Sequence, residues 1–148
     1  MTEGVPAAPP EGASGSTADT SSALYDAVGG MAFFERLVDR FYAGVVGDPV
    51  LLRLYPEPGD LAGARRRLTL FLAQYWGGPT TYSDERGHPR LRGRHFAFEI
   101  GTVERDHWLL RMREAMVEVA AERGLSGELI ERMEAYFEVA AEAMRNRE

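Results

Sequence analysis

The sequence predicts an all-α fold, on three observations. Apolar residues recur at helical spacing over four long stretches. Clusters such as Gly29-Gly30, Gly47-Asp48-Pro49, Pro56-Glu57-Pro58-Gly59 and Gly77-Gly78-Pro79 separate those stretches. No stretch alternates apolar and polar residues convincingly enough for a half-buried strand.

The elements follow in order. Residues 1–22 are mostly Ala, Gly, Pro, Ser and Thr; such a composition buries little apolar surface, so a disordered extension is expected, with one domain over 23–148. A short helix near 23–28 should end at Gly29-Gly30, and a second, 31–46, carries Phe34, Leu37, Phe41 and Val45 on one stripe. Pro49 suits the first turn of a short helix ending near Tyr55. Asp60 can cap a helix over 61–76, striped by Leu61, Ala64, Leu68, Phe71, Leu72 and Tyr75. Residues 77–89 then read as a long loop, a length that usually serves function. A short helix carries His95; another, about 99–122, presents Trp108, Met112, Met116 and Val119. Gly124 ends it, Ser126 can cap the last helix, and Ile130, Met133, Phe137, Ala140 and Met144 form that helix's buried face.

Composition narrows the function. The chain has 148 residues and a formal net charge of −6, which argues against nucleic acid or an anionic membrane as the main partner. No apolar run approaches the roughly 18–20 residues that span a bilayer, and no signal peptide is evident, so a cytoplasmic protein is expected. The absence of cysteine removes disulfides, iron–sulfur clusters, thiolate nucleophiles and thioether-linked haem. All 17 basic residues are arginine, so no lysine can form a Schiff base or a Walker-type phosphate contact.

Among three histidines, His95 has the most telling neighbours. Arginines precede it, Phe96 and Phe98 follow, and Leu91 and Phe98 lie about one turn either side of it. Such a histidine suits a flat cofactor with an apolar body and an anionic edge, and the Leu91 carbonyl could fix its tautomer; a plain packed histidine is the other reading. His88 precedes a proline, and His107 lies about 100° around its helix from Trp108, so both are poorer candidates. Arg65-Arg66-Arg67 reads either as a solvated face or, through Arg67 at the edge of the stripe, as a contact to an anionic group; Arg94 has the same choice. Tyr42, Tyr55 and Trp108 could each be core residues. Converging on one cavity, they would form neutral donors for a ligand with partial negative charge, each bond worth roughly 1–1.5 kcal/mol.

Taken together, Ala27-Val28-Gly29-Gly30, Arg40-Phe41-Tyr42, Leu54-Tyr55-Pro56, Phe71-Leu72 with Gln74-Tyr75-Trp76-Gly77-Gly78-Pro79, and Tyr82-Ser83 through His88-Pro89-Arg90-Leu91 and Arg94-His95 resemble one family. In that order, over about residues 24–145, the chain is similar to the truncated haemoglobins of the second group, the O type common in actinobacteria. The turn Glu57-Pro58-Gly59-Asp60 is one residue longer than that pattern. The resemblance implies a truncated globin fold, a two-over-two helical sandwich around non-covalent haem b. His95 would be the proximal iron ligand, with Leu91 and Phe98 beside it. Tyr42, Tyr55 and Trp108 would be the distal donors, with Ala64 where many globins carry histidine and Leu68 and Phe71 walling the cavity. Arg67 would pair with a haem propionate, and Tyr82, Arg94 and His88 are further candidates for that edge.

The function implied is binding of O2, NO, CO or peroxide, with O2 release too slow for bulk transport. The alternative is an enzyme that oxidises nitric oxide to nitrate or reacts with peroxide; the chain carries no flavin or nicotinamide domain, so its reductase would be a separate protein. A haem-free helical interaction module is the third reading.

Overall fold

The computed structural model describes residues 24–87 and 100–146, and every regular element among them is helical. Helix α1 covers 24–28, α2 Met31–Val46, α3 Pro49–Leu52, α4 Ala62–Tyr75, α5 Thr81–Arg86, α6 Thr102–Arg123 and α7 Gly127–Met144.

The stripe that predicts α2 is the face it buries: Phe34, Leu37, Phe41 and Val45 are inaccessible to solvent, joined by Phe33, Val38 and Tyr42. Asp48 then starts α3, its carboxylate accepting from the backbone N–H of Val50 at 3.0 Å and of Leu51 at 3.4 Å, with Pro49 in the first turn. The helix stops at Leu52, one turn short of the sequence expectation, and Tyr55 sits in the bend that follows. Helix α4 starts at Ala62, whose N–H donates to Asp60 Oδ1 at 3.3 Å.

Its far end closes as a Schellman turn. Gly77, with φ 99°, donates to the Gln74 carbonyl at 3.1 Å, and Gly78 donates to the Ala73 carbonyl at 2.8 Å. The stretch expected to be a loop holds α5. That helix has no apolar stripe to announce it; it is fastened from outside, as Gln74 accepts from the Ser83 N–H at 2.9 Å and contacts Ser83 Oγ at 2.7 Å. Glu104 reaches back to the Gly101 N–H at 2.9 Å to start α6, which ends at Gly124. Ser126 accepts from the Leu129 N–H at 3.2 Å and caps α7, as its position predicts. On α7, Met133, Phe137, Ala140 and Met144 are buried as expected, Ile130 is half-buried, and Tyr136 joins the core.

These helices pack as two pairs, α2 on α4 and α6 on α7, joined where α2 crosses α6. Short α3 wedges against α2 and α6, and α5 leans on α4. Tyr25 stacks on Phe34, which stacks on Trp76, so α1, α2 and the end of α4 share one aromatic seam. Beyond α7, Asn146 donates to the Ile100 carbonyl at 2.7 Å while its side chain accepts from the Ile100 N–H at 2.9 Å, tying the chain's end to the start of α6. Among the described residues, no helix is long and apolar enough to cross a membrane.

Candidate functional site

Between the helix pairs lies a cavity of about 360 Å³. Its lining is mostly apolar, with Leu54, Leu68, Phe71, Leu72, Ile100 and Phe137 on its walls. A few polar side chains interrupt that surface, the usual pattern of a small-molecule site.

The structure brings together the sequence-predicted residues that it describes. Tyr42, Tyr55, Ala64, Arg67, Leu68, Phe71, Tyr82 and Trp108 all line this one cavity. Tyr42 comes from α2, Tyr55 from the bend after α3, and Trp108 from α6. The hydroxyls of Tyr42 and Tyr55 are 3.3 Å apart, with their rings edge to face. That separation is long for an O–H···O bond, so the contact is weak. Two hydroxyls carry two protons, and a bond between them uses one; the other is available to a third group in the cavity. Burial, and after it the neighbouring Tyr55, pushes the Tyr42 phenol well above the ordinary tyrosine range, and burial raises Tyr55 as well. Both therefore stay neutral donors at physiological pH. Trp108 packs against Phe41 at 5.5 Å and Phe137 at 6.1 Å between ring centroids, so its indole is held from both helix pairs.

The three arginines of α4 divide by partner. Arg66 forms a fork to Glu85, with contacts of 2.6 and 2.7 Å, and Arg65 lies 3.9 Å from Asp39 with its guanidinium over the Tyr42 ring. Arg66 matches the reading of a solvated face; Arg65 does not, being half-buried against Tyr42 with its Nε shielded from solvent. Arg67 lines the cavity, and among the described residues no carboxylate pairs with it. A mostly apolar cavity lined by an arginine that no described carboxylate pairs with suits a largely apolar ligand with an anionic edge, which is the chemistry of haem.

His107 is the one histidine among the described residues, and it does not line the cavity. It is turned to Asp48, with Nδ1 2.9 Å from the carboxylate. The proximal candidates His95, Leu91 and Phe98 and the edge candidates Arg94 and His88 lie outside the described residues. Among the described residues no cluster of acidic and histidine side chains could hold a bare metal ion.

Sequence reasoning missed Tyr136 and Ile100 as lining residues. Tyr136 falls on the buried face of α7 one residue before Phe137, a periodicity signal that was available. Ile100 is fixed by its bonds to Asn146, a contact 46 residues away that no local pattern reveals.

Comparison with known proteins agrees with this geometry. The Bacterial-like globin family matches residues 23–144. The group 2 truncated haemoglobin YjbI of Bacillus subtilis is 40% identical over 125 residues, covering 84% of this chain and 89% of its own. The X-ray structure of a thermostable haemoglobin from the actinobacterium Thermobifida fusca is 54% identical, with a TM-score of 0.78, over 83% of this chain and 96% of that one. A truncated oxygen-avid haemoglobin from Bacillus subtilis is 40% identical, with a TM-score of 0.75, over 83% of this chain and 98% of that one. With its helix pairs, its cavity and its tyrosine–tryptophan set, the chain belongs to the bacterial-like globin family, among the group II truncated haemoglobins.

Proposed function

We propose that this protein holds haem b through His95 and binds O2 and other diatomic ligands with slow release. Membership of the globin family implies the haem. The lack of cysteine supports the non-covalent b type, since no thioether can form. The iron supplies an open coordination position for a small ligand, and the chain supplies everything around it. Arg67, with Tyr82 and Arg94, holds the propionate edge. Leu68 and Phe71 keep bulk water from the distal side. Tyr42, Tyr55 and Trp108 donate hydrogen bonds toward a ligand that carries partial negative charge.

The observation that carries this reading is the convergence of those three donors on one apolar cavity, with the Tyr42 and Tyr55 hydroxyls within 3.3 Å of each other. Three neutral donors favour retention over easy delivery. The likeness to an oxygen-avid haemoglobin from Bacillus subtilis supports the same direction.

The test is spectroscopic. Purified or haem-reconstituted protein is expected to give a Soret band, and His95→Gly is expected to change its coordination spectrum; an unaltered spectrum sinks the assignment of His95. Trp108→Phe is expected to raise the O2 off-rate by about tenfold, the worth of one hydrogen bond of about 1.4 kcal/mol. An unchanged off-rate removes Trp108 from the donor set.

A further inference from the structure

Asp48 lies outside the cavity and is only 1% exposed. Its carboxylate is saturated: its polar contacts are the N–H groups of Val50 and Leu51, His107 Nδ1 at 2.9 and 3.1 Å, and Arg111 Nε at 2.9 Å. A single acid therefore caps α3 and clamps that helix to α6. The clamp has a second point, where Arg53 just after α3 meets Glu104 at 2.6 Å. Glu104, His107 and Arg111 follow at intervals of three and four, so they form one ridge on α6. Trp108 stands beside that ridge, next in sequence to His107 and one turn from both Glu104 and Arg111. Helix α3 leads within three residues to Tyr55. Two of the three donors are thus carried by elements that this polar seam joins.

We propose that Asp48 is a positioning residue for ligand retention, setting Trp108 against Tyr55 by clamping α3 to the His107–Arg111 ridge of α6. The inference rests on the reading of Tyr55 and Trp108 as distal donors. Asp48 touches neither the cavity nor a ligand; it acts through the backbone of α6 and the bend after α3. A buried acid that served only as a helix cap would need neither His107 nor Arg111.

The substitution Asp48→Asn separates the two jobs. Asparagine is as good a cap as aspartate, but its amide nitrogen cannot accept from Arg111 or His107. His107→Ala is the second variant, at a side chain 35% exposed whose loss leaves the cap intact. The probe is [15N]tryptophan-labelled, haem-loaded ferrous carbonmonoxy protein; the chain has 2 tryptophans, so Trp108→Phe assigns both indole N–H signals. Both variants are expected to move the Trp108 signal, to leave that of Trp76, and to raise the O2 off-rate by roughly threefold. In a Trp108→Phe background, the factor from Asp48→Asn is expected to fall toward one. An unmoved Trp108 signal, or the same factor with and without Trp108, overturns the proposal and leaves Asp48 a purely structural cap. If Trp108→Phe alone keeps the wild-type off-rate, the distal reading of Trp108 itself has failed, and that variant reports it independently of Asp48.

Discussion

Asp48 carries an acid-dependent share of the protein's stability. Burial pushes its carboxyl up, but the hydrogen bonds from His107, Arg111 and the Leu51 N–H outweigh burial and hold it below the ordinary carboxylate range. A carboxyl depressed in the folded state stabilises the fold above its unfolded pKa, near 4, and that contribution disappears as pH falls through the folded value. Replacing Asp48 with alanine removes a cap and charged hydrogen bonds, at an expected cost of about 2–3 kcal/mol at neutral pH. In guanidinium unfolding followed by circular dichroism, the gap between wild type and Asp48→Ala should hold from pH 7 to 5 and shrink below 4. A gap of equal size at pH 3 and pH 7 contradicts this account. Arg67 invites a second comparison at the same scale. Arg67→Leu is expected to speed haem transfer to apomyoglobin about two- to fivefold, while Arg66→Leu, which breaks only the exposed pair with Glu85, leaves the rate unchanged. Equal rates for Arg67→Leu and wild type would place the anionic edge elsewhere.

At the scale of elements, the end of α4 packs tightly against α1. A Cβ on Gly78 would lie 2.4 Å from Tyr25 Cε1 and 2.9 Å from the Ala73 carbonyl oxygen. The tyrosine ring is wedged by its stack on Phe34, and the carbonyl is fixed by the helix, so neither yields easily. Gly78→Ala is expected to cost about 1–3 kcal/mol and to lower the melting temperature by roughly 3–10 °C; an unchanged melting temperature shows that α1 can move away from α4 without cost. The same junction marks how much was legible in the sequence. Glycines and a 3.6-residue stripe suffice for α2, α4, α6 and α7, because burial of one face is what forms those helices. Helix α5 was invisible, since Thr81–Arg86 has no stripe and is secured by Gln74 from another helix. The site divides the same way. Tyr42 and Trp108 sit on or beside apolar stripes and could be nominated from spacing. The clamp from Asp48 to His107 spans 59 residues, and nothing local in Gly47-Asp48-Pro49 distinguishes a cap from a cap that also binds another helix.

For the whole molecule, the question is which part of the chain the fold requires. Among the described residues the core cluster runs from Leu24 onward, and the family match begins at residue 23. The N-terminal edge of that core is already fastened: Tyr25 donates its N–H to the Trp76 carbonyl at 3.2 Å, Leu24 and Val28 are buried, and Gly30 donates to the Tyr25 carbonyl at 2.9 Å to end α1. At the other end, Asn146 is bound to Ile100. Both ends of the core are thus tied by backbone bonds within 24–146. The composition of residues 1–22 offers little apolar surface to add. A chain that begins at Ala23 behind an initiating methionine is therefore expected to melt within about 2 °C of the full-length protein, a shift below 1 kcal/mol at this size. Its O2 off-rate is expected to match as well, because Tyr42, Tyr55 and Trp108 are held by α2, by the bend after α3 and by α6. A larger loss of stability would show that the extension packs on the domain. A changed off-rate at unchanged stability would place the extension at the mouth of the cavity, and only ligand kinetics on the shortened chain can separate those two effects.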